Sequence, residues 1–145
     1  MSNKNLVCPQ CCATNRIPEA RLEDKAKCGK CKKPLFSGKS MNLTPQNVAS
    51  TLNHNEIPVL VDCWASWCGP CKQFSPIFEQ AAKKFEPNLR FAKLDTEANQ
   101  AVAGRWRIQS IPTLIVFMRG KEVARVSGAM SLTQLERWLK ELKML

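Results

Sequence analysis

The pattern of apolar and polar positions changes near residue 40. Before this point apolar residues are scattered, whereas after it they recur at the spacings of strands and helices. Residues 58–65 form an apolar run of strand length, which predicts a strand buried on both faces. Further strands are predicted over 89–95, 113–117 and 122–126, and helices over 44–52, 68–85, 98–106 and 131–142. This order predicts an α/β domain with a mixed central sheet flanked by helices.

The first 40 residues need a different source of stability. They carry nine basic and three acidic side chains, and their few apolar residues cannot form a sizeable core. A segment of this size needs a covalent or metal cross-link to fold. We therefore predict two domains, residues 1–38 and 39–145, which meet without a long linker.

Sequence features and composition indicate the cellular compartment in which we expect the protein to work. No apolar run is long enough for a membrane span, and the N-terminus shows no secretory signal, so we expect a cytoplasmic protein. The chain nevertheless has eight cysteines and a formal net charge of +10. In a reducing compartment so many cysteines indicate metal ligands or redox catalysts rather than structural disulfides.

Two cysteines stand where the buried strand is predicted to give way to the long helix, in the sequence Trp67-Cys68-Gly69-Pro70-Cys71. Free N–H groups and the helix dipole at this position favour a thiolate on Cys68. Cys71 lies about one turn further along, so Cys68 is predicted to attack a substrate disulfide and Cys71 to resolve the mixed disulfide. The alternatives are buried filler cysteines or half of a zinc site.

The N-terminal segment contains two further cysteine pairs. Cys8 and Cys11 are separated by sixteen residues from Cys28 and Cys31, a spacing typical of a four-cysteine zinc site. Metal binding would supply the missing folding energy. A pair of disulfides is the alternative, and the adjacent Cys12 could replace Cys11, although the spacing favours Cys11. We interpret the lysines around the second pair as a solvated face and expect no nucleic-acid binding, whereas oxidation of the thiolates could make the segment a redox sensor.

The larger part of the chain resembles the thioredoxin family. The resemblance is carried by VDCWASWCGPCK, Pro76, AKLDTE, SIPT and VSGA, and it covers nearly all of residues 41–145. With a CxxC-x16-CxxC segment ahead of it, the chain is similar to the zinc-containing thioredoxin-2 group of bacteria. The resemblance implies a thioredoxin fold with a small zinc-ribbon-like N-terminal domain and one structural or redox-sensing Zn²⁺ per chain, without an organic cofactor.

Asp62 is the one carboxylate in the apolar strand, where burial should raise its pKa. The resemblance implies that it helps to deprotonate Cys71 through water and that Lys93 pairs with it. A salt-bridged structural acid and a surface lysine are the alternatives. Cys63 stands where the family usually has an aromatic residue, and we interpret it as an inert packed thiol.

The resemblance also implies a substrate-binding surface around the disulfide. Ile111 and Pro112 match the family's cis-proline loop, whose free backbone groups would pair with an extended substrate segment. The other residues that the resemblance assigns to this surface are Trp64, Trp67, Gly69, Pro70 and Gly128. For either tryptophan, core packing is the alternative.

The implied function is that of a monomeric protein-disulfide reductase. By resemblance, thioredoxin reductase recharges it, and it passes electrons to ribonucleotide reductase, methionine sulfoxide reductase and peroxiredoxins. The Gly-Pro between the two cysteines favours reduction over oxidation or isomerisation. The competing hypothesis is a zinc-ribbon binding or redox-sensing module that recruits a redox domain to a partner.

Overall fold

The computed structural model describes residues 2–145, so residue 1 of the predicted N-terminal domain lies outside it. Its elements in chain order are β1 (Asn3–Val7), β2 (Thr14–Pro18), β3 (Met41–Asn42), α1 (Val48–His54), β4 (Val59–Trp64), α2 (Gly69–Phe85), β5 (Arg90–Asp95), α3 (Gln100–Arg105), β6 (Thr113–Met118), β7 (Lys121–Ser127) and α4 (Leu132–Glu141). None of the helices within residues 2–145 has the length and apolar character needed to cross a bilayer.

The central sheet is mixed, as the order of elements predicts. Its strands lie in the order β3-β5-β4-β6-β7. Strands β3 and β4 pair in parallel with β5, whereas β6 is antiparallel to both β4 and β7. The fold is therefore the expected thioredoxin fold, with β4 at the centre of the sheet.

Helices cover both faces of the sheet, and β4 contributes side chains to each in turn. Val59, Val61 and Cys63 pack with residues of α1 and α3, whereas Leu60 packs with α2 and α4. Because successive side chains of a strand point to opposite faces, Asp62 lies on the same face as Leu60, beneath α2.

The N-terminal segment forms a hairpin, β1 paired with β2, which the sequence pattern did not predict. The segment docks at the end of the sheet where β4 and β5 begin. The Asn5 carbonyl accepts the N–H of Glu56 at 2.9 Å, and the buried side chain of Asn55 accepts the N–H of Val7 at 2.9 Å. Ile57 completes the apolar cluster of the segment, so the two parts of the chain share a packed boundary.

The bounds of the first predicted helix change, whereas the long helix agrees with the prediction. The first helix begins at Val48 rather than at residue 44 and ends at His54. Thr44 and Asn47 instead exchange side-chain hydrogen bonds with each other's backbone N–H, at 3.2 and 2.7 Å, in a turn that leads directly into α1. The N–H of Val48 donates to the Thr44 carbonyl at 3.0 Å across this turn. Helix α2 continues through Pro76, as predicted from its apolar face.

Candidate active site and metal centre

Cys68 and Cys71 form a disulfide at the start of α2, with their Cα atoms 5.2 Å apart. Cys68 is the N-cap of the helix, and its Sγ accepts the N–H of Cys71 at 3.2 Å. In the reduced protein this donor and the helix dipole would stabilise a thiolate on Cys68. The strand-to-helix corner predicted from the sequence is therefore present.

Burial alone does not distinguish the two sulfurs, since Cys68 is 4% exposed and Cys71 is 3% exposed. Their neighbours differ instead. The Sγ of Cys68 lies 3.8 Å from the carbonyl oxygen of Ile111, on the segment that leads into the cis bond between Ile111 and Pro112. Cys71 lines a cavity under the helix. The sulfur of Cys68 thus lies beside a backbone carbonyl, whereas Cys71 borders a partly open pocket.

Asp62 is fully buried, and neither of its carboxylate oxygens has a hydrogen-bond partner among residues 2–145. Burial raises the pKa of Asp62 to about 7, although the positive charge of Lys93 lowers it in part. Lys93 lies directly opposite Asp62 in the parallel register of β4 and β5. The raised pKa predicted from the apolar strand is present, because no partner compensates for desolvation.

The cavity beside Cys71 has a volume of about 240 Å³. Its walls are formed by Trp64, Ala65, Ser66, Cys71, Lys72, Ser75 and Lys93. The Nζ of Lys93 donates to the Oγ of Ser75 at 2.9 Å and lies 5.3 Å from the centroid of the Trp64 ring. The cavity therefore connects Cys71 with the ammonium that acts on Asp62.

The predicted substrate-binding residues lie around the disulfide, but with unequal exposure. Trp67 is 68% exposed and its Nε1 donates to Glu97, whereas Trp64 is half-buried and packs with Cys68, Cys71 and Ile111. Gly69 and Pro70 are exposed in the first turn of α2.

Gly128 adopts a φ of +103°, a conformation that favours glycine, and its N–H donates to the Pro112 carbonyl at 2.8 Å. It therefore fixes the proline segment from the neighbouring strand.

The four predicted metal ligands meet at one point. The Sγ atoms of Cys8, Cys11, Cys28 and Cys31 all lie within 4.8 Å of one another. Cys8 and Cys31 are 3.6 Å apart, as are Cys11 and Cys28. A zinc tetrahedron with Zn–S bonds of about 2.3 Å has edges of about 3.8 Å, whereas a disulfide would need about 2.05 Å. The spacing therefore fits a four-thiolate zinc site and not the alternative pair of disulfides.

Hydrogen bonds around Cys28 also suit a thiolate ligand. The N–H groups of Lys30 and Cys31 and the side-chain amide of Asn15 donate to its Sγ at 3.3, 3.5 and 3.5 Å. The N–H of Cys31 and the amide of Asn15 lower the pKa of Cys28 to about 6. Cys12, the fifth thiol, is exposed and lies outside the four-cysteine group.

Comparison with known proteins identifies both parts of the chain. The family model described as "Thioredoxin" matches residues 39–141, which is more than half of the chain. The chain belongs to the thioredoxin family. A second family model, described as "Thioredoxin 2, N-terminal" and named as a zinc ribbon, matches residues 7–33. This match includes all four clustered cysteines.

Individual thioredoxins agree with this assignment. "Thioredoxin C-3" of Corynebacterium nephridii is 42% identical over 136 residues, which cover 94% of this chain and 93% of that protein. "Thioredoxin" of Mycobacterium bovis is 39% identical over 70% of this chain and 88% of that protein. "Thioredoxin" of Haemophilus influenzae is 33% identical over 70% of this chain and 94% of its own length. Together with the Cys68–Cys71 bond, the family shows that this chain is a thiol–disulfide oxidoreductase.

Sequence reasoning missed three polar residues that contact the functional groups. Ser75 stands four residues after Cys71 on a predicted helix, so the helical period places the two on one face and could have identified it. Asn15 lies beside Cys28, and Glu97 accepts the indole N–H of Trp67. Neither contact has a signal in the sequence, because each joins residues from separate elements.

Proposed function

We propose that this thioredoxin is a protein-disulfide reductase that uses Cys68 as the nucleophile. The Cys68 thiolate attacks one sulfur of a substrate disulfide, which forms a mixed disulfide and releases the first substrate thiolate. Cys71 then attacks the Sγ of Cys68, which closes the Cys68–Cys71 bond and releases the second thiolate. Two electrons pass to the substrate, and the dithiol becomes the disulfide. The N-cap position of Cys68, whose sulfur accepts the Cys71 N–H, is the observation that carries this assignment.

Asp62 is proposed to remove the proton from Cys71 before the second step, through water. Its raised pKa of about 7 supports this role, because a base of that pKa can both accept and return a proton near neutral pH. Lys93 is proposed as the cation that keeps burial from raising the pKa of Asp62 further.

The surface that receives the substrate is proposed to surround the Cys68 side of the nearly buried disulfide. An extended substrate segment would pair with the backbone at Ile111 and Pro112, next to the Cys68 sulfur. The exposed indole of Trp67 offers apolar contact area beside it. We propose that the remaining contacts come from Trp64, Gly69, Pro70 and Gly128.

The proposed partners are a thioredoxin reductase, which recharges the disulfide with NADPH electrons, and disulfide-containing proteins. Ribonucleotide reductase, methionine sulfoxide reductase and peroxiredoxins are the proposed substrates, and we propose that the chain works in the cytoplasm as a monomer. A reducing compartment is the setting in which a dithiol of this kind is regenerated.

The four-cysteine group is proposed to bind one Zn²⁺ per chain, within a domain of residues 1–38 ahead of a thioredoxin domain of residues 39–145. Bound zinc would hold the two cysteine knuckles together and supply folding energy to the segment. The packing of Ile57 against this segment supports a stabilising role over a loosely attached recruiting module.

Reduction of insulin disulfides tests the proposed function. The full-length protein with thioredoxin reductase and NADPH is expected to reduce insulin, and Cys68→Ser is expected to remove this activity. Cys63→Ser is the matched control, since Cys63 is buried in β4 and burial raises its pKa to about 12. Residual reduction by Cys68→Ser at the rate of the control would refute the proposal.

A further inference from the structure

The contact between Lys93 and Ser75 joins two elements that both lie against Asp62. Lys93 belongs to β5 and Ser75 to α2, and the ammonium donates to the serine hydroxyl at 2.9 Å. The two Asp62 oxygens, on the neighbouring strand, have no hydrogen-bond partner within residues 2–145. The cation opposite Asp62 is thus bonded to a neutral hydroxyl, and within residues 2–145 the buried carboxylate has no hydrogen-bond partner.

Three groups surround the ammonium. Ser75 provides the hydrogen bond, Trp64 provides the face of an aromatic ring at 5.3 Å, and Asp62 provides the negative charge across the β4–β5 register. An ammonium has three N–H donors, and an uncompensated buried carboxylate is the strongest acceptor available to them. The hydroxyl therefore competes with the carboxylate for Lys93.

We propose that Ser75 is a positioning residue whose hydroxyl holds the Lys93 ammonium away from Asp62, so that Asp62 remains a proton acceptor for Cys71. This inference deepens the proposed function, on which it rests. Among residues 2–145, no hydrogen bond joins the Ser75 hydroxyl to either sulfur of the disulfide. Ser75 acts through Lys93, which lines the same cavity as Cys71.

Other ionisable groups also act on Asp62. Glu79 of α2 raises its pKa, although by less than burial does, and Lys93 of β5 is the cation that lowers it. Cys63 adjoins Asp62 in β4, where burial and, to a lesser degree, the charge of Asp62 raise the pKa of the thiol, while β6 places Leu114 opposite Asp62. Lys93 is the cation that lowers the pKa of Asp62. Its position therefore decides how far that pKa falls.

Ser75→Ala tests this inference through the titration of Asp62. Without the hydroxyl, the ammonium should move to the carboxylate, and an opposite charge at contact lowers a carboxyl pKa by roughly one unit or more. The measurement is the pH dependence of the Asp62 carboxyl carbon signal by NMR, in the reduced full-length protein. In stopped-flow kinetics, the pH midpoint of mixed-disulfide resolution should shift down by the same amount.

Three further variants make the result specific. Ser75→Thr keeps a hydroxyl and should retain the parent titration, and Ser66→Ala, which alters another serine of the cavity wall, should leave it unchanged. Lys93→Met should raise the Asp62 pKa, which shows the direction expected if the ammonium is lost. An unchanged or raised pKa in Ser75→Ala, or a Ser75→Thr protein that behaves like Ser75→Ala, would overturn the inference. The NMR titration needs no reductase activity, so failure of the insulin assay and failure of this inference are separate results.

Discussion

Ionised Asp62 destabilises the folded protein, yet the proposed mechanism needs this carboxylate as a proton acceptor. A carboxyl that is buried without a partner prefers to remain protonated, and this preference raises the pKa of Asp62 from 3.8 to about 7. The folded protein therefore binds a proton more tightly than the unfolded chain does. The contribution of Asp62 to the free energy of unfolding is therefore largest below about pH 4 and is lost as the pH rises through 7.

Asp62→Asn should therefore stabilise the protein at high pH. A shift of about three pKa units corresponds to about 4 kcal/mol, which is the largest gain expected in the free energy of unfolding above pH 8. The gain should shrink toward zero below pH 4, because the carboxyl of the unfolded chain, with a pKa of 3.8, becomes protonated there as it already is in the folded protein. Urea unfolding at pH 4.5 and pH 8.5 measures it, and a gain that is equal at both values would contradict this account.

The same variant should slow the resolution of mixed disulfides at neutral pH, because the amide cannot accept the Cys71 proton. Single-turnover kinetics with a disulfide peptide would show this loss, and general-base catalysis contributes about 10²-fold or more where it operates. Resolution at the parent rate across pH 6 to 8 would refute the proposed role of Asp62.

Among single residues, the sequence predicts those that can be recognised from their spacing or from their neighbours along the chain. The CxxC pair and the four clustered cysteines follow from spacing, and the raised pKa of Asp62 follows from a carboxylate in an apolar strand. The helical period could have placed Ser75 on the face of Cys71, but its bond to Lys93 joins separate elements. The contacts of Asn15 and Glu97 also join separate elements. No spacing along the chain encodes those contacts, so they needed the structure.

Among the elements, the boundary between the N-terminal segment and the sheet contains a buried ion pair. The guanidinium of Arg90 lies 3.6 Å from the carboxylate of Glu86, and both side chains are almost fully buried. Arg90 also packs on the ring of Phe36 at 4.2 Å and donates to the Val7 carbonyl at 3.5 Å. One side chain of β5 therefore contacts two parts of the N-terminal segment.

Arg90→Met should weaken this boundary by about 3 kcal/mol, since it leaves Glu86 buried without its cation. Urea unfolding of the zinc-loaded protein at pH 8 measures the loss. The matched control is Arg119→Met, which removes an exposed ion pair to Glu56 and should cost less than about 1 kcal/mol. Equal losses in the two variants would show that the buried pair does not stabilise the boundary.

The elements themselves were predicted with uneven success. Strand β4 and helix α2 have strong apolar patterns, and they lie close to the predicted ranges. The hairpin of β1 and β2 was not predicted, because its strands alternate weakly and are stabilised by the neighbouring cysteine knuckles and by the sheet. The Thr44-Pro45 pair predicts a helix start, whereas in the structure Thr44 and Asn47 bond to each other in a turn and α1 begins at Val48.

In the whole molecule, the metal centre and the disulfide lie at opposite ends of the sheet. The N-terminal segment contacts residues that precede β4 and begin β5, whereas Cys68 follows the end of β4. The length of β4 alone separates these ends by about 17 Å, at roughly 3.3 Å per residue. Within one chain, the thiols of the four-cysteine group are therefore too far away to exchange directly with the Cys68–Cys71 bond.

Removal of zinc should lower the thermal stability of the whole chain and leave its chemistry intact. The N-terminal segment loses its cross-link, and the packed boundary with the sheet is lost with it. Differential scanning calorimetry should show a midpoint several degrees lower for the reduced, chelator-treated protein. Insulin reduction at 25 °C should persist. A thermal midpoint that is unaffected by zinc would contradict the stabilising role.

The most direct test of the central claim, that Cys68 attacks and Cys71 resolves, is a trapping experiment. Cys71→Ser, incubated with a disulfide-containing protein, should accumulate a mixed disulfide, and peptide mass spectrometry should locate the link at Cys68. The reciprocal variant, Cys68→Ser, should accumulate none. A link at Cys63 or Cys12 in Cys71→Ser, or a link at Cys71 in Cys68→Ser that accumulates to the same extent, would contradict the account.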